Sequence, residues 1–188
     1  MAHRFSEILF TDGVRAAQEL YGSRPQNERL RALGPANDTL GENERGFIEA
    51  RDGFYLASVS ESGWPYIQFR GGPAGFVRVL DDKTLGYADF RGNRQYISTG
   101  NIDRDGRVAL FFMDYPNRRR LKLLGHASIA DAAQSPELAK RLEVSGYRAR
   151  VERAVLIRVE AFDWNCPQHI TPRHTEEEFA ALARAGDE

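Results

Sequence analysis

The sequence predicts a mainly β protein, a β-barrel with helical decoration. Apolar runs of strand length recur through the middle of the chain with turn residues between them, and helical spacing with capping signals appears toward the two ends. The chain has 188 residues, of which 41% are hydrophobic and 28% charged, which suits one domain with appendages and excludes a wholly disordered polymer. No stretch approaches the roughly 20 consecutive apolar residues of a membrane span. No charged segment followed by an apolar one opens the sequence, which reads as cytoplasmic.

Residues 1–46 read as a helical and extended arm. Val14, Ala17, Leu20 and Tyr21 lie at helical spacing after Thr11-Asp12, a capping pair. Pro25, Gly34, Pro35 and Gly41 then punctuate a charged stretch expected to be extended, with at most short helices, and to lie on something else. Residues 47–162 read as the barrel. Phe54–Ser60 and Pro65–Phe69 flank the turn Glu61-Ser62-Gly63-Trp64, and Phe76–Leu80 and Thr84–Tyr87 flank Asp81-Asp82-Lys83, which gives two hairpins. A short helix fits between Arg94 and Asn101. Val108–Met113 and Arg120–Ile129 are further strands, joined through Asp114-Tyr115-Pro116-Asn117. Ser135-Pro136 opens a helix carrying Leu138 and Leu142, and Ala154–Val159 is the last strand. Residues 163–188 form a C-terminal segment in which Thr175-Glu176-Glu177-Glu178 is a capping box for a final helix.

The formal net charge of −1 offers no global attraction to nucleic acid or to an anionic membrane, so neither is expected as a partner. Of the 26 basic residues only Lys83, Lys122 and Lys140 are lysines. Arginine is the planar, bidentate partner of phosphates and carboxylates, so its clusters are candidate anion sites. The single cysteine, Cys166, excludes an intramolecular disulfide and a multi-thiolate metal site.

Four segments are candidates for chemistry. Arg91-Gly92-Asn93-Arg94-Gln95 follows a strand and precedes a helix, where unpaired N–H groups and flanking arginines make an anion site, or where a solvated loop simply carries charge. In Gln68-Phe69-Arg70-Gly71-Gly72, Gln68 and Arg70 are two apart on a strand and share a face. The following glycines permit close approach of a ligand or shape a bulge. Arg118-Arg119-Arg120 could hold phosphate, could bind nucleic acid with Tyr115 as a stacking platform, or could protect an edge strand by charge. Cys166 and His169 invite a nucleophile reading, but no orienting third residue accompanies them, and a lone cysteine is more often an inert small hydrophobe. Pro172 interrupts His169 and His174, and His3 and His126 add no ligand spacing, so no metal is expected.

In order along the chain, five of these segments resemble the pyridoxamine 5′-phosphate oxidase-like family of FMN-binding split barrels, across residues 44–130 and loosely in the last strand. Gly63-Trp64-Pro65-Tyr66-Ile67-Gln68 is similar to the hairpin that leads into that family's first flavin-contacting strand. Tyr87-Ala88-Asp89-Phe90-Arg91-Gly92-Asn93-Arg94 resembles its Tyr-Thr-x-x-x-Ser-Arg-Lys segment, whose last three residues hold the flavin phosphate; Gly92, Asn93 and Arg94 stand there in this chain. Arg107–Phe112 is similar to the family's Arg-Val-(small)-Leu-x-Phe strand. Arg119-Arg120-Leu121 falls on Arg-Gln-Val, which puts Arg120 at a flavin-contacting glutamine. Leu124-Gly125-His126-Ala127 falls on the Gly-x-Ala that follows. There are departures. Gln68 replaces the first flavin-contacting arginine, with Arg70 two residues on. Trp164–Arg173 resembles the ending of uncharacterised flavin-binding relatives and does not match the segment by which true oxidases hold pyridoxal phosphate.

The resemblance implies a homodimer with FMN between the chains. Arg94, Asn93 and the helix start would neutralise the phosphate, assisted by Arg91 or Arg120. Gln68, Phe69, Arg70 and Gly71 would reach the ring, and Trp164, Asn165 and Gln168 would close the cleft from the partner, unless Trp164 anchors the tail to the core. The activity implied is an FMN-dependent oxidoreductase acting on a small planar substrate, with NADH or NADPH as a candidate electron donor and without vitamin B6 oxidation as such. The alternatives are a protein that stores, carries or senses flavin without turnover, and a haem-handling split barrel with His126 as axial ligand. An RNA-binding barrel is disfavoured by the net charge.

Overall fold

Apolar residues at alternate positions along the strands decide the architecture. In β1 (Gly53–Val59) Phe54, Leu56 and Ser58 are buried, and in β5 (Arg107–Asp114) Val108, Leu110, Phe112 and Asp114 are buried, the period of a strand with one face on a core. The computed structural model describes residues 3–164 and 166–185. Its other strands are β2 (Pro65–Gly71), β3 (Val77–Asp81), β4 (Thr84–Phe90), β6 (Arg119–Asp131) and β7 (Val151–Trp164). They form one antiparallel sheet in the order β2-β1-β5-β6-β7-β4-β3.

The two halves of this sheet face each other. Phe54 on β1 lies 5.4 Å from Tyr87 on β4 and 6.0 Å from Phe76, just ahead of β3, although β1 and β4 stand well apart in the strand order. The sheet therefore curls around one aromatic core, completed by Phe112 at 5.1 Å from Phe54. Its ends, β2 and β3, share no ladder, so the barrel is split rather than closed. Curvature is helped by a bulge at Glu160 of β7, opposite Leu124 and Gly125 of β6, and at Gly125 the Arg158 carbonyl approaches too closely for any side chain larger than hydrogen.

Seven helices are described. Thr11 caps α2 (Asp12–Leu20) by accepting from the Val14 N–H, as the sequence predicts. Three others were not expected in that form. Within the stretch expected to be extended, α3 (Arg24–Leu33) forms, because Pro25 opens it and Glu28 bonds both Arg24 and Arg31 at helical spacing. α1 (Arg4–Leu9) precedes it, and α4 (Glu42–Glu49) runs across the 46/47 boundary, with Phe47 and Ile48 buried in the core. The arm lies on the barrel through backbone bonds: the Phe162 N–H donates to the Asn37 carbonyl and the Leu40 N–H to that of Asp82. α5 (Ile97–Arg104) joins β4 to β5, and α6 (Pro136–Leu142) precedes β7. α7 (Glu176–Ala185) begins with the predicted capping box, the Thr175 and Glu178 side chains each accepting the other's backbone N–H. No helix of the described residues is long and apolar enough to cross a membrane.

Candidate functional site

The first two sequence candidates meet at the split. β2 is an edge strand on which Tyr66, Gln68 and Arg70 share one face, while Ile67 and Phe69 take the other. Opposite β2, β4 ends at Phe90, and the chain turns through Gly92–Tyr96 into α5. Between them lies a cleft of about 160 Å³ whose walls include Gln68, Arg70, Asp89, Asn93, Arg94 and Arg153. α5 is fixed against the barrel by Ser98 Oγ, which donates to Gln68 Oε1 at 3.0 Å, and by Asn101 Nδ2, which donates to Ser58 Oγ at 3.0 Å.

Cationic groups dominate this cleft. The Asp89 carboxylate, 4% exposed, takes Arg70 Nη1 on one oxygen at 2.8 Å, and Arg153 Nε and Nη2 on the other at 2.9 and 2.6 Å. Arg94 stands exposed at the mouth, its Nε 3.3 Å from the Tyr96 hydroxyl, which itself donates to Glu152 at 3.3 Å. The N-terminus of α5 points here without a side-chain cap, since Tyr96 occupies the N-cap position in a left-handed conformation and makes no capping bond. Its first-turn N–H groups thus lack the usual acceptor. Arg70 Nε is buried and has no hydrogen-bond partner among the described residues. Behind the cleft, burial pushes the Tyr87 phenol well above its ordinary value, so it remains protonated.

The other sequence candidates lie elsewhere in the single chain. Arg91 pairs with Glu152 at 3.6 Å beside the cleft. Phe69 lies on the outer face of β2, packed 5.5 Å from Tyr55, and a side chain on Gly71 would collide with its ring, so Gly71 serves that packing. The three adjacent arginines have separate surroundings. Arg118 occupies a left-handed turn position, Arg119 stacks over Trp164 and Phe47, and Arg120 lines a different cavity, its Nε buried without a partner among the described residues. Trp164 is an anchor in this chain: its indole N–H donates to Glu44 at 2.8 Å and its ring meets Phe47 edge-on at 4.7 Å. Gln168 and Cys166 are exposed and line neither cavity, and Asn165 lies outside the described residues. His126 is exposed on β6 and lines neither cavity. Asp89, Arg153, Tyr96 and Ser98 were not singled out from the sequence. The one available signal was Asp89 itself, a carboxylate inside an apolar strand.

The second cavity is an apolar groove of about 780 Å³ on the outer face of β1, β2, β5 and β6. Tyr55, Ile67, Phe111 and Met113 form its floor and Ile170 and Arg173 of the C-terminal segment its rim. Ile67 and Phe69 are 64% and 58% exposed, unusual for large apolar side chains on adjacent outward positions of a strand.

The family model for pyridoxamine 5′-phosphate oxidase matches residues 40–166, well over half of the chain. No curated protein matches it. Among solved structures, HupZ of Group A Streptococcus is similar over 72% of this chain and 99% of its own, at 22% identity and a TM-score of 0.54. A candidate pyridoxamine 5′-phosphate oxidase of Lactobacillus delbrueckii is similar over 67% of this chain and 94% of its own, at 23% identity and a TM-score of 0.52. At such identities the likeness to these structures is one of fold.

Proposed function

This chain belongs to the pyridoxamine 5′-phosphate oxidase family, and from that premise and the geometry of the cleft we propose that it is a homodimeric FMN-binding oxidoreductase. One observation carries the reading: the fold joins Gln68 and Arg70 to Asn93, Arg94 and the uncapped start of α5 around a single cleft. These donors fit FMN. Free helical N–H groups and an exposed guanidinium suit a phosphate dianion. The amide of Gln68 and the orphaned Nε of Arg70 suit the hydrogen-bonding edge of a flavin ring, where a guanidinium favours the anionic reduced form. The bound flavin would supply hydride or electron transfer, and the protein would supply position and charge. Asp89, the carboxylate lining the cleft, is already neutralised by two arginines and keeps no oxygen free for proton transfer.

The size of the cleft favours a dimer. About 160 Å³ is below the roughly 300–1,000 Å³ of small-molecule sites. β2 walls both the cleft and the apolar groove, so a second copy seated on the groove would border the cleft and enlarge it. In that arrangement Arg120, which lines the groove, would serve a site completed by the partner. The substrate class is a small planar molecule, with NADH or NADPH as the electron donor to be tried first.

A visible spectrum of the purified protein, taken before and after adding FMN and removing the excess, tests the reading. Retained flavin absorbance supports it, and steady-state oxidation of NADH or NADPH would then separate an enzyme from a flavin carrier. No retained chromophore overturns it.

A further inference from the structure

Side chains, not backbone, tie the barrel's two halves together at the cleft. β2 and β4 share no ladder, yet Arg70 on β2 reaches Asp89 on β4 at 2.8 Å, and the same carboxylate binds Arg153 on β7 through two further bonds. From Arg153 the contacts continue outward. Its guanidinium lies 4.8 Å over the Tyr96 ring, whose hydroxyl meets both Arg94 and Glu152. Arg94 and Tyr96 hold φ of 62° and 55°, a conformation that L-residues keep only where their surroundings impose it.

We propose that Asp89 is the positioning residue of this cleft, locking β2 to β4 across the split and, through Arg153 and Tyr96, setting the loop that presents Asn93 and Arg94. The proposal rests on the flavin reading of the cleft but assigns a role outside the predicted contacts. Its physical basis is the cost of removing one partner from a buried ion cluster: without the carboxylate, two guanidiniums face each other at short range and must move apart. Arg70 then leaves the cleft wall, and Arg153, drawn to its remaining partner Glu152 at 3.3 Å, leaves Tyr96.

The sign of one substitution separates positioning from simple electrostatics. Asp89→Asn makes the cleft more positive by one charge, which by itself would tighten the binding of a phosphate dianion. Positioning requires the opposite. The experiment is a fluorescence titration with FMN and with riboflavin, well below each variant's unfolding midpoint. We expect Asp89→Asn to bind FMN at least tenfold more weakly and to lose part of its preference for FMN over riboflavin. Tyr96→Phe, which keeps the ring beneath Arg153 but not the hydroxyl, should lose that preference while its riboflavin affinity stays within twofold. Should Asp89→Asn not fold, Arg153→Lys carries the same expectation, since lysine keeps the charge without the two-pronged contact. A folded Asp89→Asn variant that binds FMN as tightly as the unaltered chain, or more tightly, overturns the positioning role and leaves the flavin reading standing. An unaltered chain that binds neither flavin overturns both.

Discussion

Arg94 combines an exposed guanidinium, a left-handed backbone and a position at the mouth of the cleft, in front of the free N–H groups of α5. Its neighbours hold it loosely, through a 3.3 Å contact to the Tyr96 hydroxyl, so the charge is available to a ligand. Arg94→Ala should weaken FMN binding by about 1–3 kcal/mol, the range for a charge-assisted hydrogen bond, and unchanged affinity in a fluorescence titration would remove Arg94 from the site. Cys166 is the contrasting case: exposed and outside both cavities, so Cys166→Ser should leave flavin binding as it was. Glu44 gives a pH-dependent residue away from the cleft. Partial burial raises its pKa, but bonds from the Trp164 indole, the Asn43 amide and the Gly41 N–H outweigh that effect and hold it below the ordinary 4.5. A depressed folded-state pKa means stabilisation present above the ordinary carboxylate range and lost as pH falls through the folded value. In a Trp64→Phe background, Trp164 fluorescence should therefore change on acidification below about pH 4.5, and Glu44→Gln, whose amide oxygen still accepts the indole bond, should flatten that titration.

Elements formed by local rules were legible in the sequence. The hairpin around Gly63, the Thr11 cap and the Thr175–Glu178 box each depend on residues within a few positions of one another, and all three formed. Period two on β2 placed Gln68 and Arg70 on one face, which is how half of the candidate cleft became visible. The other half was hidden by distance along the chain. Arg153 and Asp89 are 64 residues apart, and their contact exists only because β7 pairs with β4. α3 was hidden for a different reason: Gly34 and Pro35 mark its end, yet they colour the whole stretch as irregular. α4 was missed because its first five residues lie in the arm and its last three in the first barrel segment. The bulge of β7 opposite Gly125 shows a constraint of the same long-range kind. A Cβ at Gly125 would stand 2.6 Å from the Arg158 carbonyl oxygen and 2.8 Å from Ile157 Cγ2, both on β7. Gly125→Ala must push the two strands apart, and the expected loss is about 1–3 kcal/mol, read as a lower denaturant midpoint with an unchanged slope. A midpoint equal to that of the parent chain would mean that β7 yields there without strain.

At the scale of the molecule, the barrel presents apolar side chains on both faces of the same strands. Inward, Phe54, Leu56, Leu110 and Phe112 close the core; outward, Tyr55, Phe111, Met113 and Ile67 line the groove. A strand meant for water on one side carries polar residues there, so an outer face of this composition needs a cover. α1 and the segment around Ile170 lie along its edges, and Ile67 and Phe69 stay exposed. The proposed second copy would be a cover that also accounts for the small cleft, because β2 belongs to both surfaces. A stable interface needs about 800 Å² from each partner. Ile67→Asp is the direct test. Ile67 is largely exposed and belongs to an edge strand, so in an isolated chain the substitution should leave the unfolding midpoint nearly unchanged. Across an interface it buries a carboxylate against apolar side chains, at a cost large enough to dissociate the pair. We expect sedimentation to show the parent chain as a dimer and Ile67→Asp as a folded monomer, with FMN affinity at least tenfold lower, since each cleft would lose the wall contributed by its partner. A parent chain that sediments as a monomer yet binds FMN tightly would show instead that one barrel holds the flavin alone.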